Sequence, residues 1–253
     1  TDNVALLRQR VGRPVRILAP IKANGYGHGV VAVARHLQSL GVDGLATANA
    51  DDAVAARQAG VTVPILLYAA QLPAGNGWLL QHRLTPTIYD LEGLEAVAAA
   101  ARSASRRIAI HVKVDAGLGR LGVRLDEAAA YARAVLAHPE LELEGLYTHI
   151  PFSDGVGEAW SRRRMAAFAE MVAAIEAEHG IGIRYAQGAA SSVLARAFPD
   201  HLNTIAPGHL MFGLYPIGGE RAEHAGFRKA LASVPDDEQA LIRRWVEADA
   251  PEG

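Results

Sequence analysis

The amino-acid sequence predicts a single-domain α/β protein of the TIM-type (β/α)8 barrel class. Short β-rich runs alternate with Ala-rich helical segments from near the start to about residue 216. The strand-like runs number eight, and glycine, at 25 of 253 residues, gathers where such runs pass into loops. Repeated strand-then-helix units imply a parallel sheet, and about eight of them close into a barrel. An open doubly wound sheet is the competing arrangement of the same units.

The expected strands are residues 15–21, 44–47, 64–68, 84–88, 108–114, 143–148, 183–187 and 203–205. Helical patterns lie between them at 29–40, 50–59, 91–103, 126–137 and 158–179. The 126–137 stretch spaces its apolar residues by three and four, as a helix covering a sheet requires. Asp90 and Asp126 stand where helix caps belong. After Pro216 the pattern changes to a Gly-rich loop at 217–223. A charged amphipathic helix follows at 236–249, with Leu241, Ile242, Trp245 and Val246 on one side. The barrel is therefore assigned to residues 1–232 and a charged helical tail to 233–253.

Half of the residues are hydrophobic and the formal net charge is −2. Such a chain can bury one large core or two modest ones, and its charge suits neither nucleic acid nor an anionic membrane. The absence of cysteine excludes disulfides, thiolate metal sites and a cysteine nucleophile, and no metal site is expected. No apolar stretch approaches the ~20 residues of a membrane span. With no signal peptide visible, a cytoplasmic location is expected, while Thr1 is not an initiator methionine and the start reads as processed or truncated.

The most informative segment runs from Ile17 to Gly29, where an apolar run ends in Lys22 and a glycine-rich turn carries Tyr26 and His28. A lysine at the mouth of a buried strand is expected to be partly desolvated, which disfavours its charged form. A neutral amine is what Schiff-base chemistry with a carbonyl cofactor needs. Barrel chemistry sits at the carboxyl ends of the strands. Lys113, Asp115 and Arg120 follow the fifth expected strand in HVKVDAGLGRLG, and His149 ends the sixth in GLYTHIPFSD. Ser191 and Ser192 follow the seventh in QGAASS, and Gly208 and His209 follow the eighth in APGHLMFG. Taken singly, each has a plainer role. Lys113 suits an ion pair with Asp115, His149 a core hydrogen bond, Ser191 a helix cap and Arg120 the barrel rim. Arg162, Arg163 and Arg164 read as a solvated helix face, His28 as part of the turn, and Asp154 as a loop residue.

In order and spacing, IKANGYGHG and KVDAGLGRLG resemble the alanine racemase family, which uses pyridoxal 5′-phosphate. The resemblance covers about residues 3 to 232. It implies that Lys22 carries the cofactor as a Schiff base and serves as catalytic base. Tyr26, Ser191, Gly208 and His209 are then expected to hold the phosphate, and His149 to pack beside the pyridine ring. Arg120 is expected near the phenolic oxygen and the substrate carboxylate, oriented by a carbamylated Lys113. Lys22, Arg120 and His149 are the catalytic expectation. The implied function is racemisation of a small amino acid such as alanine, with a homodimer as the assembly. A non-catalytic pyridoxal-phosphate carrier barrel is the alternative. Two departures from the family pattern stand out. Ala206 occupies the position where the family has an arginine that meets the pyridine nitrogen. The chain also reads as lacking the family's β-rich carboxyl-terminal domain, which donates a catalytic tyrosine to the partner subunit. Tyr147, Tyr185 and Tyr215 are tyrosines available to take that role, and none matches the missing one by motif.

Overall fold

The computed structural model describes residues 2–12, 14–68, 76–152, 155–196, 202–217 and 226–230. The expected tail helix at 236–249, most of the loop at 217–223, the boundary at 232 and Asp154 lie outside the described residues.

The strands in chain order are β1 (Arg16–Pro20), β2 (Gly44–Thr47), β3 (Ile65–Leu67), β4 (Thr87–Ile88), β5 (Ile108–Asp115), β6 (Val123–Arg124), β7 (Leu141–Ile150), β8 (Tyr185–Ala189) and β9 (Thr204–Ile205). All pairings are parallel, in the order β3-β2-β1-β9-β8-β7-β5-β4, with β6 attached to β5 off this path. The two ends of that order meet. Thr85 N–H donates to Ile65 O and Leu67 N–H donates to Thr85 O, both at 2.9 Å. The eight-stranded ring is thereby a barrel and not an open sheet. The short strand β6 had no signal in the sequence.

The helices are α1 (Asp2–Val11), α2 (Lys22–Tyr26), α3 (Val30–Ser39), α4 (Ala50–Gln58), α5 (Asn76–Gln81), α6 (Leu91–Ser103), α7 (Ala128–Leu136), α8 (Gly155–His179), α9 (Ser191–Ala195) and α10 (Gly208–Met211). The five expected helices correspond to α3, α4, α6, α7 and α8. Asp90 caps α6 as expected, its carboxylate accepting from Gly93 N–H at 2.6 Å. Asp126 does not cap α7: Arg124 donates to both of its oxygens, at 3.1 and 2.9 Å, and Glu127 stands at the cap. Arg162 pairs with Glu158 at 2.7 Å on the exposed face of α8. Arg57 on α4 donates to the carbonyls of Val61, Val63, His82 and Arg83, tying two loops to one guanidinium. No helix among the described residues is long and apolar enough to cross a membrane.

Successive strand side chains point to opposite faces. The outward set, including Ile17, Ala19, Leu45, Ile65, Leu67, Ile110 and Val112, packs under the helices as the main core. Each of the larger of these, the Val, Leu and Ile side chains, contributes about 1.5–3 kcal/mol by leaving water. The inward set begins with Leu18, Ala46, Leu66, Tyr147 and Tyr185. Here too lies His111, which is 2% exposed and 3.5 Å from Glu144. Its ring uses space that only a glycine at 145 leaves open, since a Cβ there would overlap the imidazole. Towards the carboxyl ends the interior turns polar through Thr87, Lys113 and Gln187, all buried. The barrel is thus plugged by packed side chains at one end and polar at the other.

Candidate active site

The segment after β1 departs from ordinary helix geometry. Ala23 (φ 53°, ψ 53°), Asn24 (φ 52°, ψ 47°) and Gly25 (φ 65°, ψ 39°) are left-handed, and Tyr26 follows with φ 57°. Left-handed backbone costs an L-residue about 1–2 kcal/mol, so Ala23, Asn24 and Tyr26 hold strain that neighbouring contacts must offset. Gly27 N–H donates to Ala23 O at 2.9 Å and Gly29 N–H to Asn24 O at 3.0 Å. The Asn24 side chain accepts from Val30 N–H at 2.8 Å, joining the turn to α3. Asn24 N–H donates to Asp52 Oδ2 at 3.3 Å, joining it to α4. The turn brings Lys22 and Tyr26, at its two ends, to the same cavity.

That cavity, of about 860 Å³, opens at the carboxyl ends of the strands. Lys22, Tyr26, Lys113, Arg120, His149, Ser191, Gly208 and His209 all line it. Each residue singled out in the sequence for this site is therefore present in one place. Its volume lies within the range of small-molecule pockets.

Lys22 departs from expectation in one respect. It is exposed and not desolvated, because β1 ends at Pro20 and the turn sets Lys22 at the open mouth. Its Nζ lies 5.9 Å from the Tyr26 ring centroid. Tyr26 stacks on Phe212 at 4.4 Å and 27°, and His28 stacks on the same Phe212 at 5.4 Å and 8°. His28 therefore packs against α10 as well as serving the turn. Burial pushes the Tyr26 phenol up to about 12, so it stays a donor at neutral pH.

Lys113 is 5% exposed, with Nζ 4.8 Å from the Tyr147 ring centroid. It has no ion pair with Asp115, whose carboxylate instead accepts from Gly117 and Gly119 N–H at 2.8 and 2.9 Å. Burial, then the nearby Arg120, bring the Lys113 amine down to about 7, against a smaller opposing effect of Asp115. Arg120 is carried on the loop after β5, over which Arg164 of α8 lies: a Cβ on Gly117 would come within 2.9 Å of its Nε. His149 is half-buried among Lys113, Arg120, Lys22 and His209. Burial first, and then repulsion from the neighbouring basic groups, bring it down to about 4, leaving it neutral at pH 7.

The two adjacent serines separate cleanly. Ser192 accepts from Phe152 N–H at 3.1 Å and is a structural tie. Ser191 is buried against the cavity and does not cap α9, whose cap position is Ala190. Gly208 N–H donates to Ala206 O at 3.0 Å across Pro207, leaving His209 N–H as the amide there with no backbone acceptor among the described residues. Ala206 lines the cavity. Of the tyrosines, Tyr147 and Tyr215 line it and Tyr185 does not. Tyr185 lies at the other end of the barrel, its ring 5.9 Å from the Arg16 guanidinium. Tyr147 hydrogen-bonds Thr87 at 3.0 Å and donates to Tyr68 O at 3.2 Å. Tyr68 also lines the cavity and was not anticipated, since it closes an apolar run with no motif around it.

This is a (β/α)8 barrel whose carboxyl end gathers Lys22, Lys113, Arg120, Tyr26 and Ser191 with a glycine turn after its last strand, the end at which barrels of this class frequently bind phosphate. The family model described as "Alanine racemase, N-terminal domain" matches residues 1–216. The chain belongs to this family, which is dependent on pyridoxal phosphate. It is 35% identical over 219 residues to alanine racemase 1 of Oceanobacillus iheyensis, covering 85% of this chain and 57% of that one. It is 36% identical over 207 residues to the alanine racemase of Desulfovibrio desulfuricans, covering 81% and 55%. Among solved structures it is similar to Clostridium difficile 630 alanine racemase in complex with cycloserine (TM-score 0.81, 26% identity, 88% of this chain and 61% of that chain). It is also similar to the alanine racemase of D-cycloserine-producing Streptomyces lavendulae (TM-score 0.80, 29% identity, 90% and 60%). The chain thus spans a little over half the length of the relatives it matches.

Proposed function

We propose that this barrel binds pyridoxal phosphate at Lys22 and acts on the α-carbon of a small amino acid, as a racemase of alanine or a close analogue. One observation carries the reading: an accessible lysine, a phenol, a buried serine and Arg120 converge on a single cavity of suitable size. The donor set fits the cofactor. Tyr26, Ser191 and the amide region of Gly208–His209 would hold its phosphate, and Lys22 would take its aldehyde. Bound there, the cofactor supplies an electron-withdrawing ring that makes the substrate's Cα–H acidic.

The rest falls to the chain's own residues. Lys22 Nζ takes the proton from Cα on one face and can return it. Arg120 receives the substrate carboxylate, a planar anion that a guanidinium matches with two parallel hydrogen bonds. His149 is neutral, so it would border the cofactor without adding charge to an already cationic site. Tyr215 lies along the same cavity. A head-to-tail homodimer is part of this reading, to be checked by sedimentation.

The test is incubation with L-alanine in heavy water in the presence of the cofactor. Deuterium at Cα, together with formation of D-alanine, is the expected result, and both should vanish in Lys22→Ala. Cofactor bound at Lys22 with no exchange at Cα would instead favour the carrier alternative. Proton transfer by a positioned base is worth about 10²–10⁴-fold, so the Lys22 variant should fall at least that far.

A further inference from the structure

We infer that Asp52 is a positioning residue, fastening the strained turn that sets Lys22 and Tyr26 against one ligand. The inference rests on the pyridoxal-phosphate reading above. Asp52 lies in the first turn of α4, is 8% exposed, and pairs with no cation among the described residues. A buried carboxylate without a counter-ion is costly and persists where other groups compensate. The start of α4 supplies part of that compensation. The rest comes from Asn24 N–H, the amide in the middle of the left-handed turn, at 3.3 Å from Oδ2.

The adjacent Asp51 shows what the helix alone accounts for. It also sits in the first turn, is exposed, and reaches nothing in the turn; its backbone N–H is taken by Asn49 Oδ1 at 2.8 Å. Only Asp52 spans the gap to the segment between Lys22 and Tyr26. The turn is gripped on three sides: by Asp52, by Val30 N–H on the Asn24 side chain, and by Phe212 stacked on Tyr26. Of these, the Asp52 contact is the one that holds the backbone where three left-handed residues meet. Releasing it lets the turn relax, and Lys22 then loses its fixed distance from the phosphate-holding Tyr26. A misplacement of about 1 Å in a reacting group can cost about 10²-fold.

The experiment compares the full chain with Asp52→Ala, Asp52→Asn and Asp51→Ala. Two readouts are taken: amide hydrogen exchange of residues 22–29 without ligand, and the rate at which Lys22 is labelled by pyridoxal phosphate or by pyridoxal, trapped by borohydride and mapped by mass. Asp52→Ala should speed exchange in 22–29 by at least about tenfold and lower the phosphate-over-pyridoxal labelling ratio by about 10- to 100-fold. Asp51→Ala should change neither, whereas general weakening of α4 would make the two alanine variants alike. Asp52→Asn keeps an acceptor oxygen but not the charge, so both values should fall between wild type and Asp52→Ala, with a severalfold drop in the ratio remaining. Should Asp52→Ala not fold, Asp52→Asn is judged by itself, with a severalfold drop in the ratio expected. The inference is overturned if exchange in 22–29 is unchanged, or if the labelling ratio stays at the wild-type value in a folded Asp52 variant. A wild-type chain that takes no label on Lys22 would instead sink the cofactor reading, while the exchange result still decides what Asp52 holds.

Discussion

The Tyr26 hydroxyl occupies the space that a side chain at position 208 would need: a Cβ on Gly208 would overlap Tyr26 Oη and lie 3.3 Å from Cζ. The segments that follow the first and last strands of the barrel thus meet where a phenol touches a backbone with no side chain. Gly208→Ala must push the Tyr26 ring away, disturbing its stack on Phe212. Overpacking of this kind costs about 1–3 kcal/mol, and phosphate-dependent cofactor affinity should fall with it. Tyr26→Phe removes the overlapping oxygen, so the double variant should be no less stable than Tyr26→Phe alone. Urea denaturation of the four proteins checks this; additive losses would mean that the two positions do not collide.

Lys113 gives a stability prediction on the alkaline side. The folded chain loses this proton near pH 7, against 10.5 for an ordinary lysine. Between those values the unfolded chain binds more protons, so stability rises with pH through that window. At about 1.4 kcal/mol per pH unit the effect amounts to several kcal/mol. Lys113→Met should flatten the rise in melting temperature between pH 7 and 9, and an unaltered slope would refute the assignment. The free amine present at neutral pH also suits carbamate formation: carbon dioxide adds to Nζ, one proton leaves, and an anion results beside Arg120. A carbon-13 resonance from labelled bicarbonate, absent in Lys113→Met, is the expected sign.

Much of this was readable from residues, and the exceptions have physical causes. Eight apolar runs, five of them leading into conspicuous polar or glycine residues, mark barrel strands, because strands covered by helices need apolar faces and chemistry collects at their carboxyl ends. The position of Lys22 was not readable. Its burial was inferred from that of the run before it, whereas β1 stops at Pro20 and a left-handed turn intervenes. That turn has three non-glycine residues at positive φ, and only asparagine among them commonly adopts it. The Asp52 contact that holds it comes from a separate helix 28 positions away. The Arg57 clamp was invisible for the same reason, since its four carbonyls lie in two loops and carry no side-chain signature.

Acid should act through His149 and His111. Burial lowers both, His149 to about 4 and His111 in spite of the opposing effect of Glu144. As pH falls below 6.5 the unfolded chain takes up protons that the folded chain refuses, so stability drops towards pH 4. His149→Phe removes one such site and should lessen the loss between pH 6.5 and 4.5, by roughly 1–3 kcal/mol on the same scale. Equilibrium unfolding across that range measures it. A variant as acid-labile as the parent would show that His149 is protonated in the folded state.

Ala206 raises a question of reaction specificity. It lines the cavity and its carbonyl accepts from Gly208 N–H, so its Cβ stands beside the turn assigned to the phosphate. The resemblance places an arginine here, against the pyridine nitrogen. A guanidinium donates and cannot accept, so it holds that nitrogen unprotonated; alanine leaves it to water, and a protonated ring withdraws electrons more strongly. On the racemase reading proposed above, part of the turnover should therefore divert to transamination, with release of a keto acid. Ala206→Arg should lower keto-acid release relative to racemisation several-fold. The added cation joins Lys22, Lys113 and Arg120, so cofactor affinity is measured in parallel to keep loading equal. Identical product ratios at equal loading would mean that position 206 does not govern the ring nitrogen.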